Sequence, residues 1–94
     1  MYQTKNRRDG KVVVEFRFKP AGQGRQGCVA GEFSQWEPVK MEGRSDGSFA
    51  AAMAIPPGVY QYKFVVDGRW QIDPDNSSFA MSPMGTVNSV AHLA

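Results

Sequence analysis

From Pro57 to Trp70 the chain reads P-G-V-Y-Q-Y-K-F-V-V-D-G-R-W, and no other stretch limits the possible folds so strongly. Tyr60, Tyr62, Phe64 and Val66 alternate with Val59, Gln61, Lys63 and Val65, the period of a strand with one face buried. Asp67-Gly68 then supplies a two-residue type I′ turn, because both residues tolerate positive φ. That turn sets Val66 opposite Arg69, Val65 opposite Trp70, Phe64 opposite Gln71 and Lys63 opposite Ile72, and cross-strand partners share a face. The Tyr62, Phe64 and Val66 row is the more apolar and is expected to face the core. Trp70, Val65 and Lys63 then lie on the other side. A three-residue loop would shift the register by one and turn Trp70 inward.

The rest of the chain repeats the pattern. Val12, Val14, Phe16 and Phe18 alternate with Val13, Glu15, Arg17 and Lys19, and residues 20–27 break the run with proline and glycines. Residues 26–33 read as a second strand, and residues 34–41 as a loop and short strand that present Trp36. A turn cluster over 42–47 precedes a strand over 48–55, which Pro56-Pro57-Gly58 stops. Residues 73–85 read as irregular, and 86–93 as the closing strand. Turns recur throughout and no helical period appears, which predicts an all-β sandwich. With 94 residues there is room for one modest core. That domain is expected over 11–94. Residues 1–10 are polar and charged and read as a flexible lead, with an anion site in the basic cluster of residues 1–25 as the alternative.

Composition narrows the function classes. A formal charge of +2 is too slight a bias to argue for nucleic acid. Cys28 is the only cysteine, so no internal disulfide and no thiolate metal cage is expected, which suits a reducing, cytoplasmic setting. No stretch approaches the roughly 20 apolar residues of a membrane span, and the first residues lack the apolar run of a signal peptide. Glycoside hydrolysis would need two carboxyl groups about 5 to 9.5 Å apart in a cleft. The acids here sit mostly in turns: Asp46 and Asp67 precede glycines, and Asp73 and Asp75 flank Pro74. Glu32 and Glu37 bracket the Trp36 loop and read as solvated charges, with contact to a sugar as the alternative. His92 has no partner at metal-ligand spacing, Cys28 reads as a small buried residue, and Gly22, Gly24 and Gly27 lack the Lys-Ser/Thr of a phosphate loop. No catalytic residue, cofactor or metal is expected.

An outward indole beside a lysine suits a sugar ring, whose axial C–H groups are apolar and whose edge is hydroxylated. Hairpin register alone leaves a second reading open, in which Trp70 packs under the 73–85 loop.

Four blocks in order carry a resemblance: Val29-Ala30-Gly31-Glu32-Phe33-Ser34-Gln35-Trp36, then Pro57 to Trp70, then Asp73-Pro74, then Gly85-Thr86-Val87-Asn88. Over residues 12–93 the chain resembles the glycogen-binding domains of AMP-activated protein kinase β subunits. These belong to carbohydrate-binding module family 48, as do the N-terminal domains of isoamylases and branching enzymes. The resemblance implies an early-set immunoglobulin-like β-sandwich that binds α-1,4-glucans such as glycogen or starch. It implies Trp36 and Trp70 as stacking platforms, Lys63 and Asn88 as hydroxyl partners, and Met84 as an apolar contact where the family has leucine. A second departure is Ser34, where the family often carries asparagine. Two alternatives remain: an interaction module that kept the fold and docks on protein, and a targeting domain for a separate glucan-active enzyme or kinase-like complex.

Overall fold

The structure, a computed structural model, describes residues 1–20, 22 and 24–94. Positions 21 and 23 of the break expected over 20–27 lie outside the described residues. Ten strands follow in chain order among the described residues: β1 (Tyr2–Arg8), β2 (Lys11–Phe18), β3 (Gly27–Gly31), β4 (Val39–Lys40), β5 (Glu42–Gly43), β6 (Phe49–Ile55), β7 (Gly58–Val66), β8 (Arg69–Gln71), β9 (Phe79–Met81) and β10 (Val87–Leu93). A 3-10 turn, Glu32–Ser34, follows β3. One sheet runs β1-β2-β6-β5, and the larger runs β4-β3-β7-β10-β9 with β8 also paired to β7. The expected all-β sandwich is observed. No helix among the described residues is long and apolar enough to cross a membrane.

The alternating rows do what their period dictates. Val12, Val14, Phe16 and Phe18 of β2 are buried against Val29, Tyr62, Phe64 and Val66 from the larger sheet. Phe16 meets Tyr62 at 5.1 Å between ring centroids, and Phe18 stacks on Phe64 at 4.9 Å. Full burial of such side chains contributes about 1.5–3 kcal/mol each. The hairpin register is the expected one, with Val66 opposite Arg69, Val65 opposite Trp70 and Phe64 opposite Gln71. Asp67 and Gly68 take φ of 51° and 82°, as the primed turn requires.

Three sequence expectations need correction. Residues 1–10, set apart by their charge, supply β1, which pairs antiparallel with β2 from Tyr2↔Phe16 to Arg8↔Lys11. The signal was Asp9-Gly10, whose φ values of 52° and 79° make the same turn as Asp67-Gly68. Residues 73–85 are not wholly irregular, because Phe79–Met81 forms the edge strand β9 beside β10. Asp73 stands at a loop start as expected, but it is buried there rather than solvated. Its Oδ2 accepts from the Tyr62 hydroxyl at 2.7 Å and pairs with the amino group of Met1, and its Oδ1 accepts from the Asp75 N–H at 2.9 Å.

Burial holds the ionisation of Tyr62 well above its ordinary value near 10, since a phenolate there would lose its hydration; the hydrogen bond from Asn76 opposes this and the one to Asp73 adds to it. The neutral phenol is therefore the folded form. Unfolded tyrosine ionises near pH 10, so this contribution is complete below about pH 10 and is lost as pH rises further. The denaturation midpoint is expected to fall more steeply above about pH 10 in the native chain than in Tyr62→Phe. Equal slopes in paired urea titrations would sink that assignment.

Candidate functional site

The outward face of the larger sheet is organised by β7. On one side β7 pairs with β3; on the other, β10 covers Gly58 to Tyr62 and β8 continues alongside Phe64 to Val66. Gln61, Lys63 and Val65 therefore point away from the core, and Trp70 shares their face across the hairpin. Trp70 is 49% exposed, which decides between the two readings of the indole: it is not sealed under a loop. Val65 on the same face is nearly buried, with Cys28 and Trp70 as its cross-strand neighbours.

Trp36 reaches this face from the loop after β3. Ser34 organises that loop: its hydroxyl accepts from the Gly31 N–H at 3.2 Å and lies 2.9 Å from the Glu37 carbonyl, to which it donates. The Trp36 N–H then closes the turn on the Gly31 carbonyl at 2.8 Å. Gln35 and Trp36 both take positive φ, 54° and 62°, so the indole is projected from a left-handed backbone that costs L-residues energy. Gly31 is required here by close approach. A Cβ at that position would meet the Phe33 ring at 2.6 Å and the Gln61 carbonyl at 2.7 Å.

The third wall is the turn between β9 and β10. The Ser82 N–H donates to the Thr86 carbonyl at 2.7 Å, and the Ser82 and Thr86 hydroxyls meet at 2.7 Å. Gly85, at φ 84°, completes the reversal and leaves Met84 91% exposed at the rim.

Trp36, Lys63, Trp70, Met84 and Asn88, the five positions singled out in the sequence, all line one open groove of about 560 Å³. They come from the β3–β4 loop, β7, β8, the β9–β10 turn and β10, so only the fold brings them together. A larger recess of about 710 Å³ opens between Lys19, Arg25, Arg44 and Asp46, but among the described residues that line it none is aromatic.

Asn88 differs from the picture of a freely exposed hydroxyl partner. It is only 6% exposed, and its Nδ2 donates to Gln61 Oε1 at 2.8 Å. Gln61, Glu32, Ser82 and Thr86 also line the groove; the sequence offered Glu32 as a sugar contact only as the alternative to a solvated charge, and did not single out the other three as site residues. Gln61 was legible in part, since the period of β7 puts it on the Lys63 face. Glu32 has a structural duty: its Oε1 accepts from the Gln61 N–H at 2.7 Å, just beyond the last residue of β3. The groove thus holds two indoles, one cation, one carboxylate and two carboxamides, a set suited to a neutral, hydroxylated ligand with apolar faces.

A family model described as the glycogen recognition site of AMP-activated protein kinase matches residues 12–94. The 5'-AMP-activated protein kinase subunit beta-1 of Sus scrofa is 37% identical over 76 residues, which are 81% of this chain and 61% of that one. The beta-2 subunit of Mus musculus is 34% identical over 70 residues, 74% of this chain and 26% of that one. The match thus spans from about a quarter to three fifths of these curated relatives. Among solved structures, the maltogenic amylase of S. marinus superposes with a TM-score of 0.77 over 100% of this chain and 16% of that one, at 22% identity. At that identity the likeness speaks to the fold alone.

Proposed function

The chain belongs to the family of AMP-activated protein kinase glycogen recognition domains, and from that premise we propose that it is a non-catalytic module that binds α-1,4-glucans by tryptophan stacking. The observation that carries this reading is the single groove containing Trp36, Lys63, Trp70, Met84 and Asn88. An α-1,4-glucan curls, so two indoles on an open surface can follow its curve. Lys63 takes a hydroxyl at the edge, and Met84 offers an apolar, adaptable contact at the rim. By analogy with base stacking each ring contributes about 1–3 kcal/mol, so two rings with the polar contacts beside them are expected to give dissociation constants in the micromolar to millimolar range.

The relatives are kinase subunits, which favours a second, compatible reading. In it the module serves to bring a kinase complex or a glucan-active enzyme to glucan. A cytoplasmic setting belongs to the same proposal, in keeping with the lone Cys28.

The test is a heteronuclear NMR titration of the labelled chain with maltoheptaose and β-cyclodextrin, with cellohexaose as the control. The indole N–H signals of Trp36 and Trp70 are expected to shift with the α-linked sugars alone. Unmoved indoles at millimolar sugar would replace glucan binding with docking on protein.

A further inference from the structure

Gln61 is a groove residue without an assigned role, and its surroundings are specific. Its backbone N–H is taken by Glu32 Oε1 at 2.7 Å, and its side-chain oxygen accepts from Asn88 Nδ2 at 2.8 Å. Every polar side-chain atom sealed from solvent among the described residues has a partner. Among the described residues no hydrogen bond takes up Gln61 Nε2 or Asn88 Oδ1, so neither atom is sealed from solvent, and both residues line the groove. A carboxamide has two N–H donors and one oxygen with two lone pairs, so one amide–amide bond uses one of the four positions on each partner. The whole Nε2 donor group of Gln61 and the whole Oδ1 acceptor of Asn88 remain untouched by that bond.

We propose that Gln61 is a further sugar-contacting residue: Asn88 holds its carboxamide so that Gln61 Nε2 donates to one hydroxyl of a glucose unit while Asn88 Oδ1 accepts from its neighbour. The inference rests on the glucan reading and deepens it. Vicinal equatorial hydroxyls are the recognition feature of a glucose edge, and a donor beside an acceptor complements them, since one hydroxyl accepts where the next donates. The amide–amide bond also orders both side chains before the ligand arrives, which lowers the entropy lost on binding. Polarisation through that bond strengthens the outer donor and acceptor together.

Two variants separate contact from support. Gln61→Glu, at pH 8 where the carboxylate is ionised, still accepts from Asn88 Nδ2 but cannot donate into the groove. Gln61→Met keeps much of the volume and removes both functions. The ligand is neutral, so the new charge does not repel it; the charge it does face is Glu32, and urea denaturation of Gln61→Glu checks that the domain stays folded. Calorimetric titration with maltoheptaose is expected to show binding weakened roughly three- to tenfold in Gln61→Glu, and at least as much in Gln61→Met. The Gln61 side-chain amide signals of the native chain are expected to shift on titration. Native affinity in Gln61→Glu with weakened binding in Gln61→Met would make Gln61 a support for Asn88 and overturn the contact. A native chain that takes up no maltoheptaose overturns this inference and the glucan reading together.

Discussion

Trp70→Ala is expected to weaken maltoheptaose binding by about tenfold or more, ~1.4 kcal/mol, while the chain stays folded. The argument runs from register to energy. The Asp67-Gly68 turn sets Trp70 opposite Val65 on the outward face, where the residue is 49% exposed. Its removal takes away one of two stacking platforms and opens no cavity in the core. The fold loses only cover over Val65, which places the stability cost near the typical value for point mutants, about 1 kcal/mol. Calorimetry gives the affinity and urea denaturation the stability. Loss of the cooperative transition would mean that Trp70 holds β8 in place, and unchanged affinity would move the sugar elsewhere in the groove.

Tyr62→Ala, one residue away from Lys63 on the same strand, is expected to do the reverse. Tyr62 is fully buried, with its ring 5.1 Å from Phe16, 5.8 Å from Phe64 and 6.1 Å from Tyr2. Truncating a buried aromatic to alanine costs about 3–5 kcal/mol. The loss of the hydroxyl adds to this, because it donates to the buried Asp73 and accepts from Asn76 Nδ2 at 3.0 Å. Small domains have about 5–15 kcal/mol in all, so the variant should be marginal or unfolded at room temperature. A native denaturation midpoint would show that Tyr62 does not face the core.

The two neighbouring residues have opposite duties, and the period of the strand already announced this. Period-2 runs and a dipeptide turn are local, so β2, β6, β7 and the Trp70 register could be read from the chain. Where charge masked a strand, as in β1, composition outweighed a turn signal that had been accepted at Asp67-Gly68. The Asn88–Gln61 bond and the burial of Asp73 had no local signal. Each depends on which strands become neighbours, and that neighbourhood spans 27 residues for the first and 11 for the Tyr62–Asp73 pair. The five groove positions were found by resemblance together with the Trp70 register. Met84 and Asn88 could not have been placed beside Trp36 by periodicity.

The left-handed pair at Gln35 and Trp36 sets a limit on engineering. An L-residue at positive φ gives up roughly 1–2 kcal/mol, so glycine at position 35 is the first substitution a thermostabilisation campaign would choose. The same change would loosen the peptide unit next to the indole, which the Ser34 and Gly31 hydrogen bonds hold in place. Robustness and aim therefore compete within two consecutive peptide units, and a hardier version of this domain is better sought in the β1-β2-β6-β5 sheet, away from every groove residue.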